Sequence, residues 1–172
     1  RLEAQVTKAL AITVYGSLFD ERFDIKDPAD PGETFGFKSV TKTQKSTVGL
    51  LARYSSVPAS TTFVGVEYMK DRGTNRFDFD ITGPFPFSGT SFVADTIHNG
   101  SVYLQEELRP SENTGISLGA RLDRNSVAGS RFNPKAAAYY FAKGLGTRFR
   151  AAFGTGFRAP SILEKIDPDV GN

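Results

Sequence analysis

The sequence predicts an all-β fold, an antiparallel meander of about eight strands. Three observations carry that reading. Apolar and polar residues alternate with a period of two through several segments, the signature of a strand with two different faces. Strand and turn formers are abundant, with 15 Phe, 6 Tyr and 17 Gly among 172 residues. The connections between the alternating segments are short and long in turn along the chain.

The first segment sets Leu2, Ala4 and Val6 against Glu3, Gln5 and Thr7, and a short turn follows at 8–10. Residues 12–23 read as a strand whose apolar face is ambiguous, and 27–34, rich in Asp and Pro, as a long connection. Residues 37–54 are strand-like with no convincing break. Their polar middle, Thr41 to Ser46, leads into the alternating Val48, Leu50, Ala52 and Tyr54. After a short turn at 55–59, Thr62, Val64, Val66 and Tyr68 oppose Glu67 and Asp71. Residues 76–96 are predicted as a long loop carrying Phe77-Asp78-Phe79-Asp80 and Pro84-Phe85-Pro86-Phe87. Strands at 101–108 and 114–123 flank a short turn at 110–113. In the second of these, Ile116, Leu118, Ala120 and Leu122 oppose Ser117, Gly119, Arg121 and Asp123. A connection at 125–131, a strand at 135–142 and a short turn at 143–146 precede the last alternating segment, 147–158. There Phe149, Ala151, Phe153 and Phe157 oppose Arg148, Arg150 and Arg158, and a tail follows Ala159.

Short turns at one end and longer loops at the other match a transmembrane β-barrel, with its tight periplasmic turns and long extracellular loops. The length of 37–54 agrees, because a usual globular strand has about 5 or 6 residues and a membrane strand about 9 to 11. A charge on the lipid face costs about 2 to 4 kcal/mol at the bilayer midplane, so alternation sends Arg121, Arg148, Arg150 and Arg158 inward. There they pair with carboxylates or meet an anionic ligand. The longest apolar run is 136–142, far short of the about 20 residues a membrane helix needs. The N-terminus has no signal-peptide pattern and begins inside a structural element. A formal net charge of +2 gives no reason to expect a nucleic-acid partner. The lack of Cys removes disulfides, thiolate nucleophiles and Cys-ligated zinc.

Two catalytic patterns fail on context. Gly115-Ile116-Ser117-Leu118-Gly119 fits a nucleophile elbow, which requires a strand-to-helix turn, yet it lies within a continuing strand. Gly154-Thr155-Gly156-Phe157-Arg158-Ala159 fits a dinucleotide fingerprint, but Pro160 follows where a helix should open. No enzyme, cofactor or metal centre is expected. The Asp-rich stretches at Asp24, Asp27 and Asp30, and at Asp78 and Asp80, read as solvated turns, with calcium the alternative. The single histidine, His98, reads as a surface residue. Phe77, Phe79, Phe85 and Phe87 are expected either to contact a ligand or to pack their own loop.

The stretch Gly154-Thr155-Gly156-Phe157-Arg158-Ala159-Pro160-Ser161 resembles the Phe-Arg-Ala-Pro-Ser signature of TonB-dependent outer-membrane receptors. The segments from Tyr103, Ile116 and Asn133 resemble the strands that precede it. Asp167-Pro168-Asp169-Val170 is similar to the family's Asn-Pro-Asp-Leu box, departing at the first and last positions. The resemblance implies a barrel of about 22 strands around a plug, in the bacterial outer membrane and in contact with its lipid. It implies energy-coupled uptake of a ferric siderophore, cobalamin or haem through the TonB complex. Residues 1–172 are then a partial barrel, the plug and C-terminal strands lying elsewhere. Haem is disfavoured, because the histidine that haem receptors carry between the two boxes is missing from 161–167. Phe77, Phe79, Phe85, Phe87, Arg121 and Arg158 are the candidate ligand contacts, and Phe157, Arg158, Ala159, Pro160 and Ser161 form the signature. A soluble secreted all-β interaction domain, or a small outer-membrane barrel acting as adhesin or passive pore, remains as an alternative.

Overall fold

The computed structural model describes residues 1–30 and 33–166. Eight strands form one antiparallel sheet in sequence order: β1 (Leu2–Gln5), β2 (Leu10–Asp27), β3 (Phe35–Val57), β4 (Ser60–Ile81), β5 (Phe87–Ser111), β6 (Thr114–Asn125), β7 (Gly129–Ala142) and β8 (Thr147–Gly154). A 3-10 turn, Lys143–Leu145, joins β7 to β8, and a five-residue helix, α1 (Ile162–Ile166), comes after β8. Each strand pairs with its chain neighbours, so β1 and β8 are the sheet's edges. The meander predicted from alternation is the observed architecture.

Three boundaries differ from expectation. Residues 76–96 are strand on both sides of a five-residue connection at 82–86. The strict alternation Arg76-Phe77-Asp78-Phe79-Asp80 is a strand pattern, and its aspartates, which suggested a loop, all project from one face. Gly83 supplies the turn with a φ of 135°, which a side chain would oppose. The 125–131 connection shrinks to three residues, because Asn125 caps it by accepting the amide protons of Val127 and Ala128 at 2.9 and 3.0 Å. The last strand ends at Gly154, four residues before the predicted Arg158.

The chain divides into two units: one comprises 1–16, 47–69 and 99–159, and the other 17–46, 70–98 and 160–172. In the first, the strand faces are reversed in polarity relative to a water-soluble sheet. One face carries the even-numbered Val14, Val48, Leu50, Val64, Val66, Val102, Leu104, Leu118 and Leu122 and, because Phe149 pairs with Tyr140 and Phe153 with Ala136, these two odd-numbered residues of β8, all exposed. The odd-numbered face buries Thr13, Ser101, Asp123 and Asn125. Leu118 is 49 % exposed while Asp123, five residues on, is 7 % exposed. Apolar residues fill the interior of soluble domains, so this sheet is built for an apolar surrounding on its even face.

Tyrosines lie on glycines across the odd face. A Cβ added at Gly49, Gly65 or Gly115 would fall 2.1–2.3 Å from the ring of Tyr15, Tyr103 or Tyr139 respectively. Glycine here makes room for an aromatic ring on a neighbouring strand.

In the second unit the pattern changes. Even positions of β2, β3 and β4 carry Asp20, Arg22, Asp24, Lys38, Lys42, Arg72, Arg76 and Asp78. Odd positions carry Phe37, Phe77 and Phe79 with buried Ser39, Thr41 and Thr43. Its apolar core is Ile97, Ile162 and Ile166, with Leu163 packed against them. The isoleucines of α1 come so close to Gly73 that a Cβ there would meet both at 2.7 Å.

The helix was missed in the sequence reading, where the residues after Ala159 are only a tail, although its start signal is present. Ser161 and Glu164 form a reciprocal cap: the Glu164 amide donates to Ser161 Oγ at 3.2 Å and the Ser161 amide donates to Glu164 Oε2 at 2.9 Å. Replacing Ser161 with Ala is expected to weaken the helix start by about 1 kcal/mol. Faster hydrogen exchange at the Glu164 amide, with the exchange of β6 unchanged, is the measurement that checks it.

Candidate functional site

The odd-numbered face of the first unit carries a connected polar belt. Its hub is Arg121 on β6. The guanidinium donates to Glu67 on β4 at 3.0 Å, to Asp123 at 2.9 Å and to Ser101 on β5 at 2.8 Å. Tyr15 on β2 donates to the other Glu67 oxygen at 2.9 Å. Asp123 also accepts from Ser101 at 2.7 Å and from Asn133 on β7 at 3.2 Å. The Tyr103 ring lies under the Arg121 guanidinium at 5.9 Å. The belt thus spans five strands, and no buried side-chain N or O among the described residues lacks a partner. It lines a cleft of about 380 Å³ with Tyr103, Gln105 and Lys135.

Arg121 thus makes the pairing contacts that were one of the two expectations for it, with Nε on Asp123 and Nη2 on Glu67 and Ser101. The sequence reading marked Arg121, Asp123 and Glu67 as polar-face residues and missed Tyr15 and Asn133. Their common signal is odd position in an alternating strand, but which odd positions meet depends on register, for example Arg121 opposite Asn133.

The second unit carries a run of phenylalanines. Ring centroids are 6.1 Å apart for Phe35 and Phe37, 5.4 Å for Phe37 and Phe77, 6.2 Å for Phe77 and Phe79, and 5.7 Å for Phe79 and Phe87. A ring thus passes from β3 through β4 to the start of β5. Three of the four expected aromatics belong to it. Phe85 does not: it sits in the 82–86 connection, 90 % exposed. Phe35 and Phe37 were missed, although Phe35-Gly36-Phe37 repeats the spacing of Phe77-Asp78-Phe79 and that repetition was available in the sequence.

The signature residues leave the sheet. Phe157 was expected on the face of Phe149 and Phe153. Instead it lies under the guanidinium of Arg131, at 5.7 Å, on the side of Asp123, because β8 has ended and period-two alternation no longer applies. Arg158 is exposed and beyond the strand, so it does not share a strand face with Arg148 and Arg150. Arg148 stacks on Tyr139 and Phe141 at 5.2 and 5.9 Å. Ala159 and Pro160 lead to Ser161, whose role is the helix cap. The Asp167 to Val170 box lies outside the described residues.

Asp24 and Asp78 each accept from an arginine two residues earlier, Arg22 and Arg76, at 3.0 Å. The Arg22 hydrogen bond holds the Asp24 carboxyl below its ordinary range, and the Thr90 hydroxyl and then Arg76 do the same for Asp78. No group of three or more His, Asp or Glu converges among the described residues. Ser117 sits mid-strand in β6, and the elbow geometry its motif needs is not formed.

A family model described as TonB dependent receptor-like, beta-barrel, matches residues 7–172. Among solved structures, the RagAB peptide importer in its open-open state is similar to this chain, with a TM-score of 0.66 at 13 % identity. The likeness covers 88 % of this chain and 21 % of that one, so this chain spans about a fifth of its length. No curated protein matches. The reversed polarity of the first unit and a family match over nearly the whole sequence agree: the chain belongs to the TonB-dependent receptor-like β-barrel family of the bacterial outer membrane.

Proposed function

We propose that these residues form part of the wall of a larger barrel that takes up a scarce solute across the outer membrane, driven by the TonB complex through a plug outside this chain. The observation that carries the reading is the pair of faces in the first unit, apolar and exposed on one side, hydrogen-bonded and polar on the other. That is the division a channel wall needs between lipid and an aqueous or plug-filled lumen. The unpaired edges at β1 and β8 favour a segment of a larger sheet over a closed eight-stranded pore or adhesin, since an open edge in lipid leaves backbone groups unsatisfied.

For the cargo, a ferric siderophore or cobalamin is the proposed class. Phe77, Phe79 and Phe87, with Phe85 in the nearby connection, offer an apolar, stackable surface for such a molecule, and Arg158 an exposed cation. Arg121 is withdrawn from direct contact and assigned to holding the wall.

Uptake of labelled ferric siderophore, cobalamin and short peptide by cells with and without the intact receptor tests the reading. Loss of siderophore or cobalamin uptake on deletion, reproduced in part by Phe77→Ala with Phe79→Ala, is the expected result. Loss of peptide uptake alone would replace the proposed cargo, and no loss of any would overturn the transport reading. An epitope inserted at Gly83 reports topology, and antibody should reach it on intact cells. Gly89, also predicted to lie in a loop, is unsuitable because it sits within β5 beneath the Phe79 ring.

A further inference from the structure

A further cleft in the first unit, of about 470 Å³, lies on the face of the polar belt, nearer the connections 112–113 and 143–146. Its floor is made of small residues in register across three strands: Ser117 pairs with Ala137, and Ala137 with Ala152. Beside them the Tyr139 ring lies over Gly115, and the charged groups of the lining are Glu107, Arg109 and Arg150. A bulge places Arg109. Leu108 is opposite Ile116 and Ser111 opposite Thr114, three steps along β5 against two along β6, so β5 holds one extra residue there. Bulges re-aim a side chain and recur beside functional sites.

The belt and this cleft differ in what their polar groups do. In the belt, Arg121, Glu67 and Asp123 satisfy one another. In the cleft, the guanidinium groups of Arg109 and Arg150 and the hydroxyls of Ser117 and Tyr139 make no hydrogen bond or ion pair among the described residues. Glu107, the one acid, accepts from Gln105 at 2.9 Å. Arg148, outside the lining, stacks on the Tyr139 ring at 5.2 Å and leaves its hydroxyl free. A mostly apolar cavity with a few polar groups that fix orientation is the usual form of a small-molecule site. Two arginines against one glutamate leave a charge of +1 in the lining, which matches a singly charged carboxylate. We propose that the cleft binds a small organic carboxylate with an apolar body, Arg109 and Arg150 holding the carboxylate and the hydroxyls of Ser117 and Tyr139 donating to it. The apolar body would lie on the Ala137 and Ala152 floor. The inference rests on the uptake reading for its place on a solute path, at the short-turn end of the lumen. Its test reads binding instead of uptake, so either can fail alone.

Photolabelling of the intact receptor in detergent tests this, with 4-azidobenzoate as the anionic probe and 4-azidobenzamide as its neutral counterpart. The benzoate is expected to modify residues of β6 to β8 that line the cleft, and the amide to leave them unmodified. Combining Arg109→Gln with Arg150→Gln should lower the affinity for the benzoate about tenfold or more, as loss of two charge-assisted contacts implies. Ala152→Leu, which fills the floor and keeps both cations, should also abolish labelling. Lys8→Gln, at an exposed cation in the 6–9 connection outside the cleft, should bind as the parent does. Unchanged migration of unheated samples on electrophoresis shows that each variant barrel is folded. Equal affinity of the double arginine variant and the parent would overturn the proposal, as would equal labelling by the amide. Absence of cleft labelling would overturn it too, and a lowered unfolding midpoint of the double variant would then assign the two cations to an acidic side chain elsewhere in the receptor.

Discussion

Replacing Arg121 with Leu is expected to destabilise the intact receptor by about 2 to 3 kcal/mol. The substitution removes three hydrogen bonds and leaves Glu67 and Asp123 facing each other without their shared cation. Breaking a fully buried pair costs about 3 to 5 kcal/mol. The expected loss is smaller because the Arg121 side chain keeps 39 % of its exposure, so solvent screens part of the repulsion. Arg121→Lys should recover part of the loss, since one ammonium restores the charge but not the two-sided fork. Denaturant unfolding of the folded receptor in detergent reads this directly. Stability of the leucine variant equal to the parent's would mean that the belt does not hold the wall.

The second large effect lies on the opposite face. Leu118→Arg should cost about 2 to 4 kcal/mol in lipid if this position is near the bilayer midplane. Ser117→Arg, one residue away, should cost much less, because its side chain leaves the strand on the other side, beside Arg150 and Tyr139 in an open cleft. The comparison uses refolding yield into lipid vesicles with both variants at equal protein concentration. In a water-soluble sheet the order would be reversed, because Leu118 would then be the exposed position that tolerates charge.

Both expectations depend on face assignments that could be read from the sequence, and the reasons are local. In β6, Ile116, Leu118, Ala120 and Leu122 alternate so regularly with Ser117, Arg121 and Asp123 that one register accounts for all of them. The cross-strand pairing Leu118 with Ala136 and Leu122 with Phe132 confirms that face on β7. The long strands were harder. Their distal parts place aspartates and lysines on one side, a composition that resembles a loop when counted and a strand when its spacing is followed. The polar belt was legible only as a list of polar positions, because the meeting of Tyr15 with Glu67 joins residues 52 apart in sequence. Phe157 was misplaced for a different reason: periodicity carries no information beyond the end of its strand.

The most direct test of the wall itself is labelling of single cysteines at Leu118, Leu122, Ser117 and Ala137 in the intact receptor within membranes. The sequence has no native cysteine to interfere. A lipid-soluble probe should label positions 118 and 122, and a water-soluble probe should label 117 and 137, which face each other across β6 and β7. Equal labelling of all four by the water-soluble probe would contradict the assignment of the apolar face to lipid.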